Sequence, residues 1–139
     1  MLARKNISLP EHYVAYGQHT VDGGYSMGMR LLSMPNPPTA VFITGQKMTI
    51  GFLKAAVEMG VSPTKDVSVV SFDYNEVFDI VRPNIPYVQQ PLKELGRQAA
   101  EIMLKRIKGN YKDFPLQRQL KTELVIHTGE NTRHENSII

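Results

Sequence analysis

The chain has 139 residues, enough for one domain with a core, and its 42% apolar and 21% charged content is ordinary for a globular protein. A net charge of +3 on scattered Lys and Arg argues only weakly for a nucleic-acid surface, and the absence of Cys excludes disulfides and thiolate chemistry. No apolar run nears the roughly 20 residues of a membrane span, and Met1-Leu2-Ala3-Arg4-Lys5 has no apolar stretch behind it to make a signal peptide.

Residues 1–12 are polar, carry Pro10 and read as a lead-in. Tyr13-Val14-Ala15-Tyr16 reads as a short strand closing on Gly17-Gln18-His19. Thr20 or Asp22 can cap a helix over residues 23–34, with Tyr25, Met29 and Leu32 on one face. Gly23, Gly24 and Gly28 lower its propensity, so they point to a close backbone approach, either to a sheet or to a ligand. Prolines at 35, 37 and 38 then stop the helix.

Ala40-Val41-Phe42-Ile43-Thr44 reads as a second, buried strand, closing on Gly45-Gln46. A helix over residues 47–59 follows, ended by Gly60. Its apolar residues fall in two rows: Met48, Phe52, Ala55, Ala56 and Met59, and then Ile50, Leu53 and Val57. One row suffices to dock on a sheet, so the second demands a further partner surface.

The run from Val67 to Phe72 is too apolar and β-rich for a surface strand and reads as a central strand of a parallel sheet, covered on both faces. Residues 76–86 are irregular, and Tyr87-Val88-Gln89-Gln90 is a fourth strand. Pro91 suits the first turn of a helix running to Lys108, whose buried stripe would be Leu92, Leu95, Ala99, Ile102 and Met103. Leu120 to His127 reads as an edge strand, and residues 129–139 as a disordered tail. The order β-α-β-α-β then β-α-β is an α/β fold with a mainly parallel sheet.

Ligands of open α/β sheets bind outside the carboxyl ends of the strands. There the chain sets Gln18 and His19, Thr44 and Gln46, Asp73, Tyr74 and Asn75, and Gln89 and Gln90. A carboxylate and amides fork onto vicinal hydroxyls, and rings pack on apolar sugar faces, so the set suits a small polyhydroxylated ligand. It equally fits the commonplace that strands end in polar residues. Catalysis has less support. The four His lack metal-ligand spacing, Gly23-Gly24-Tyr25-Ser26-Met27-Gly28 matches neither phosphate-binding fingerprint, and no Ser has a nucleophile-elbow context. The chain is therefore expected to be no enzyme and to need no cofactor.

Several stretches together resemble the lactose-repressor (LacI/GalR) family of transcription regulators. They are Gly24-Tyr25, Pro38-Thr39-Ala40-Val41-Phe42, Met48-Thr49-Ile50-Gly51, Glu58-Met59-Gly60-Val61, and Asp66-Val67-Ser68-Val69-Val70-Ser71-Phe72-Asp73. Arg82-Pro83, Gln90-Pro91, Leu95-Gly96 with Ala99-Ala100, and Thr122-Glu123-Leu124-Val125-Ile126 continue the series, in order, from about Tyr13 to Thr128.

The resemblance implies a periplasmic-binding-protein-like fold, a cytoplasmic location, a small-molecule effector (a sugar or a relative), a homodimer, and operator DNA read through a head domain unlike any segment here. It assigns residues 1–91 and 119–128 to the carboxyl-terminal effector-binding lobe and residues 92–118 to the amino-terminal lobe. It makes Asp73 the ligand carboxylate, sets His19 where a stacking ring is common and Gln90 near the pocket floor, and adds Gln46 and Tyr74 to the ligand-binding set. Met48, Phe52, Ala55, Ala56 and Met59 become the dimer interface. Gly45-Gln46 departs from a usual Asn-Asp, Gln18 from a common Asp, Ser71 from a Gly and His127 from an Arg. The helix from Leu92 would dock on another copy or fold back on its own sheet. A periplasmic-type sugar-binding protein of an ABC transporter is the alternative on the same fold.

Overall fold

The computed structural model describes residues 2–81, 85–112 and 115–126. The elements are α1 (Val21–Leu32), β1 (Ala40–Ile43), α2 (Gln46–Glu58), β2 (Ser68–Phe72), β3 (Tyr87–Gln89), α3 (Leu92–Ile107) and β4 (Glu123–Val125). The strands form one sheet in the order β1-β2-β3-β4. β1 and β2 run parallel with Ala40 opposite Ser68, β2 and β3 run parallel with Ser71 opposite Tyr87, and β4 closes the sheet antiparallel with Tyr87 opposite Val125. This is the expected mainly parallel α/β arrangement, with β2 central. The expected tail and His127 lie outside the described residues.

Helix α2 packs on β1 and β2, and α1 packs on α2. Leu32, Ile43, Phe52, Leu53, Ala56, Val67 and Val69 meet in the core, joined by Phe78, Ile85 and Tyr87. Phe78 lies on a 3-10 turn (Glu76–Asp79) in the connection from β2 to β3, and it and Ile85 are fully buried. That connection therefore covers part of the sheet without an α-helix. Burial of one such side chain contributes about 1.5–3 kcal/mol.

The α1 glycines are explained by neither the sheet nor a ligand. Gly24 and Gly28 are one turn apart on α1, as Gly51 and Ala55 are on α2, so each pair forms a smooth row on its helix. A Cβ on Gly24 would stand 2.2 Å from the Met48 carbonyl oxygen, and one on Gly51 2.0 Å from that of Val21. The two helices meet backbone to backbone. Thr20 starts α1 by accepting the Gly23 N–H on its hydroxyl at 2.9 Å. Gly60 ends α2 in the left-handed region at φ +69°.

This packing corrects the reading of α2's two apolar rows. Phe52, Ala55 and Ala56, expected at a dimer interface, are buried inside the chain together with Leu53. The partner of the first row is α1, which lies against Met48, Phe52 and Ala55 as well as Gly51, while Leu53 of the second row joins the core. Met48 and Met59 are half-buried against the core, while Val57 is 74% exposed. Only the outer edge of the helix remains for a second subunit.

Other expectations also yield. Residues 13–16 form no strand: Glu11–Tyr13 is a 3-10 turn, and the His12 and Val14 carbonyls accept from the Arg30 guanidinium at 3.2 and 2.9 Å. Arg30 on α1 takes the place of a ladder partner. β1 is consequently an edge strand rather than a buried one, with Phe42 56% exposed. Pro91 is the cap before α3, not its first turn. α3 buries none of its residues and does not fold back on the sheet; Leu92 is 63% and Ile107 74% exposed. Arg97 is bonded to Glu94 and Glu101 on its surface, and that contact, with the Gln98 amide, holds the Glu94 carboxyl down at about 2.

Candidate functional site

At the carboxyl end of β2 the backbone turns at Asp73, which has φ +70°. Asp tolerates the left-handed region better than most residues but still pays for it in strain. Two bonds hold it there: its N–H donates to the Val88 carbonyl on β3 at 2.9 Å, and its own carbonyl accepts from the Ser71 hydroxyl at 3.0 Å. Ser71 is fully buried and, its proton given to Asp73, accepts from the Thr49 hydroxyl of α2 at 2.8 Å, with the Gly45 carbonyl at 3.1 Å the competing acceptor of the Thr49 proton. A chain of hydroxyls thus runs from the start of α2 to the Asp73 backbone.

The Asp73 carboxylate faces Gln90. One amide nitrogen, Gln90 Nε2, donates to both Asp73 oxygens, at 2.9 and 3.0 Å. Next to Asp73, Asn75 Nδ2 donates to Gln46 Oε1 at 3.2 Å, while Asn75 Oδ1 accepts the Val77 N–H at 3.0 Å. Gln46 opens α2 behind Gly45. A Cβ on Gly45 would stand 3.3 Å from His19 Nδ1, so the imidazole lies close beside that glycine. Gln18 and His19 are themselves at positive φ, +52° and +55°. Among the described residues, three of the four non-glycine positive-φ positions, Gln18, His19 and Asp73, therefore follow Gly17 or β2 at this edge. Strain of this kind gathers at functional sites.

Tyr74 departs from expectation. Its hydroxyl donates to Asp79 Oδ2 at 2.5 Å, and its ring packs against Tyr87 (centroids 5.1 Å apart) and edge-on to Phe78 (6.1 Å). The Asp79 hydrogen bond, then burial and the Asp79 charge, push the phenol up to about 12. The Tyr74 hydroxyl is thus taken by the 3-10 turn and its ring packs partly on the core, the residue remaining half-buried. Of the five expected ligand residues, Asp73 and Gln90 are bonded to each other, Gln46 is bonded to Asn75, and His19 lies beside Gly45 at the start of α2. Thr49 was missed in the sequence, where a Thr on an otherwise apolar helix row was the available signal. Beside Gln90 lies a groove of about 470 Å3, lined by residues 89–94 and Arg97. Among the described residues no helix is long and apolar enough to cross a membrane.

The geometry can hold a neutral polar ligand. It presents one fixed carboxylate, three amide side chains and an imidazole around an open sheet edge. Comparisons with known proteins agree with that architecture. Residues 1–128 match the periplasmic binding protein-like domain family. The HTH-type transcriptional repressor CytR of Escherichia coli K12 is 32% identical over 110 residues, covering 79% of this chain and 32% of CytR. The HTH-type repressor PurR of Escherichia coli O139:H28 is 36% identical over 101 residues, covering 73% of this chain and 30% of PurR. The solved complex of the transcriptional regulator CelR with cellobiose superposes with a TM-score of 0.80 at 29% identity, covering 90% of this chain and 38% of that one. The chain thus spans about a third of the length of these repressors. It belongs to the periplasmic binding protein-like domain family, in the form found in the effector-binding core of LacI-type transcription regulators.

Proposed function

We propose that this chain is the effector-binding and dimerisation part of a sugar-responsive LacI-type regulator, with no catalytic role of its own. The observation that carries the reading is the joint placement of Asp73, Gln90, Asn75, Gln46 and His19 at the carboxyl edge of the parallel strands, with the backbone held at positive φ on both sides. A small polyhydroxylated effector, a sugar or a nucleoside, would exchange its hydroxyls for these internal partners. The Asp73 carboxylate would accept from a vicinal pair of hydroxyls, Gln46 and Asn75 would bond a third, and His19 would cover the ligand from above. The cellobiose bound by CelR supports a sugar over an ionic ligand.

On this reading the effector closes two lobes on one another and shifts a homodimer between DNA-competent and incompetent arrangements, while a separate head domain contacts operator DNA in the cytoplasm. α3 and the loop after it would belong to the second lobe, which accounts for the exposed apolar side chains of that helix. The outer edge of α2, with Val57, is the surface we assign to the dimer. Titration calorimetry with pentoses, hexoses, cellobiose and nucleosides tests the reading. Heat from one of them, abolished in Asp73→Ala, is expected. No heat from any, or equal binding by Asp73→Ala, would refute it.

A further inference from the structure

We infer that Gln90 is an internal stand-in for the ligand, and that its release from Asp73 is what transmits occupancy to α3; this rests on the functional reading above. A side-chain amide bonding both oxygens of a carboxylate makes the contact that a ligand's hydroxyl pair would make. One nitrogen within 3.0 Å of both oxygens takes the lone pair of each that faces the gap between them, so a hydroxyl pair that grips both oxygens from that side displaces Gln90.

Gln90 is also placed to pass that displacement on. It lies between the end of β3 and the Pro91 cap, and its carbonyl accepts the Leu92 N–H at 2.9 Å in the first turn of α3. Pro91 sits at φ −78°, ψ 67°, outside the helical and strand regions, and makes no side-chain cap. α3 buries none of its residues within this chain, so the junction is its tie to the sheet. The groove lined by residues 89–94 leaves room for a displaced Gln90 side chain. Asp73, by contrast, is held by backbone bonds on both sides and stays where it is. Gln90 is therefore a positioning residue whose side chain and carbonyl tie the ligand carboxylate to the start of α3.

The test has two arms, both on the 139-residue chain. In amide hydrogen exchange, Gln90→Ala and Asp73→Asn should each speed exchange at Leu92 to Leu95 by about tenfold, as expected for loss of one charge-assisted bond. The double variant should be no faster than either single one, because both remove one interaction. Unchanged exchange in either single variant, or effects that multiply in the double, overturns the tie whether or not any sugar binds. In the second arm D-ribose, a small vicinal diol, is titrated into wild type and Gln90→Ala. A stand-in must be displaced, so its removal should tighten binding several-fold. A residue that merely contacts the ligand would weaken it, and weakening overturns the inference. D-ribose and every other sugar failing to bind, with the exchange coupling intact, would count against the functional reading instead.

Discussion

Adding one methyl group to Gly51 should unfasten the α1–α2 pair. A Cβ there would meet the Val21 carbonyl oxygen at 2.0 Å and the Tyr25 nitrogen at 2.5 Å, against an ordinary contact of 3.4 Å or more. Both obstacles are backbone of α1, so no side chain can swing away, and the helices would have to part by about 1.4 Å at this point. Overpacking of this kind costs about 1–3 kcal/mol, and the parted interface also loses dispersion contacts among Gly28, Phe52 and Ala55. Against that, Ala is a better helix former than Gly by about 1 kcal/mol. With the lost contacts added, the net expectation for Gly51→Ala is a loss of about 1–2 kcal/mol. Gly96 in α3 is the control, because a Cβ there meets nothing within 4 Å. Gly96→Ala should therefore stabilise the chain by about 0.5–1 kcal/mol. Thermal unfolding followed by circular dichroism reads both, with about 4 °C of midpoint per kcal/mol for a chain of this size. If Gly51→Ala raised the midpoint as Gly96→Ala does, the close helix crossing would be refuted.

Other substitutions probe the core, the cap and the hydroxyl chain. Phe52→Ala should cost about 3–5 kcal/mol in urea unfolding, since its ring is buried between α1 and the sheet. Thr20→Ala removes the side-chain acceptor of the Gly23 N–H and should cost about 1 kcal/mol, with Thr20→Ser restoring most of it. Ser71→Ala leaves the Asp73 carbonyl without its buried hydroxyl donor, at about 1–2 kcal/mol. Where sugar binding has been measured, Ser71→Ala should weaken it as well, and unchanged affinity would show that the hydroxyl chain does not position Asp73. Tyr74 should titrate near pH 12 in the folded chain, and Asp79→Ala should return it toward 10 by ultraviolet difference titration. Because the folded state keeps this proton more tightly than the unfolded chain, its contribution is whole below pH 10 and is lost as pH rises toward 12. A Tyr74 whose titration Asp79→Ala does not move would place its hydroxyl away from Asp79.

The elements most legible from residues alone are those whose local and tertiary demands coincide. The Val67–Phe72 run is apolar because β2 is central, and its last residue hands the chain to Asp73 at the edge where ligands of such sheets bind. Thr20, Gly60 and Gly109 announce helix ends because caps are local chemistry: Thr20 accepts an early N–H, and the two glycines take φ +69° and +82°. The resemblance to LacI-type regulators rested on residue order and spacing along the chain, and so needed no fold.

Tertiary structure decided what periodicity cannot. Two apolar rows on α2 state that two surfaces are covered, but not whether one of them is a partner subunit or α1. Only the juxtaposition of Gly24 and Gly28 with Gly51 and Ala55 settles it for α1. The stripe on α3 has the right period, yet burial depends on what stands opposite, and among the described residues nothing buries it. Tyr74 adjoins Asp73 in sequence but turns to Asp79, Phe78 and Tyr87, because a 3-10 turn brings an acceptor and two rings to it. The sequence by itself therefore determined the mainly parallel α/β class, the caps at Thr20 and Gly60 and the edge at which Asp73 stands, since each depends on neighbours a few residues away. The fold alone decided which faces were free and that Gln90, from another strand, occupies the Asp73 carboxylate, because such contacts join residues that the chain itself keeps apart.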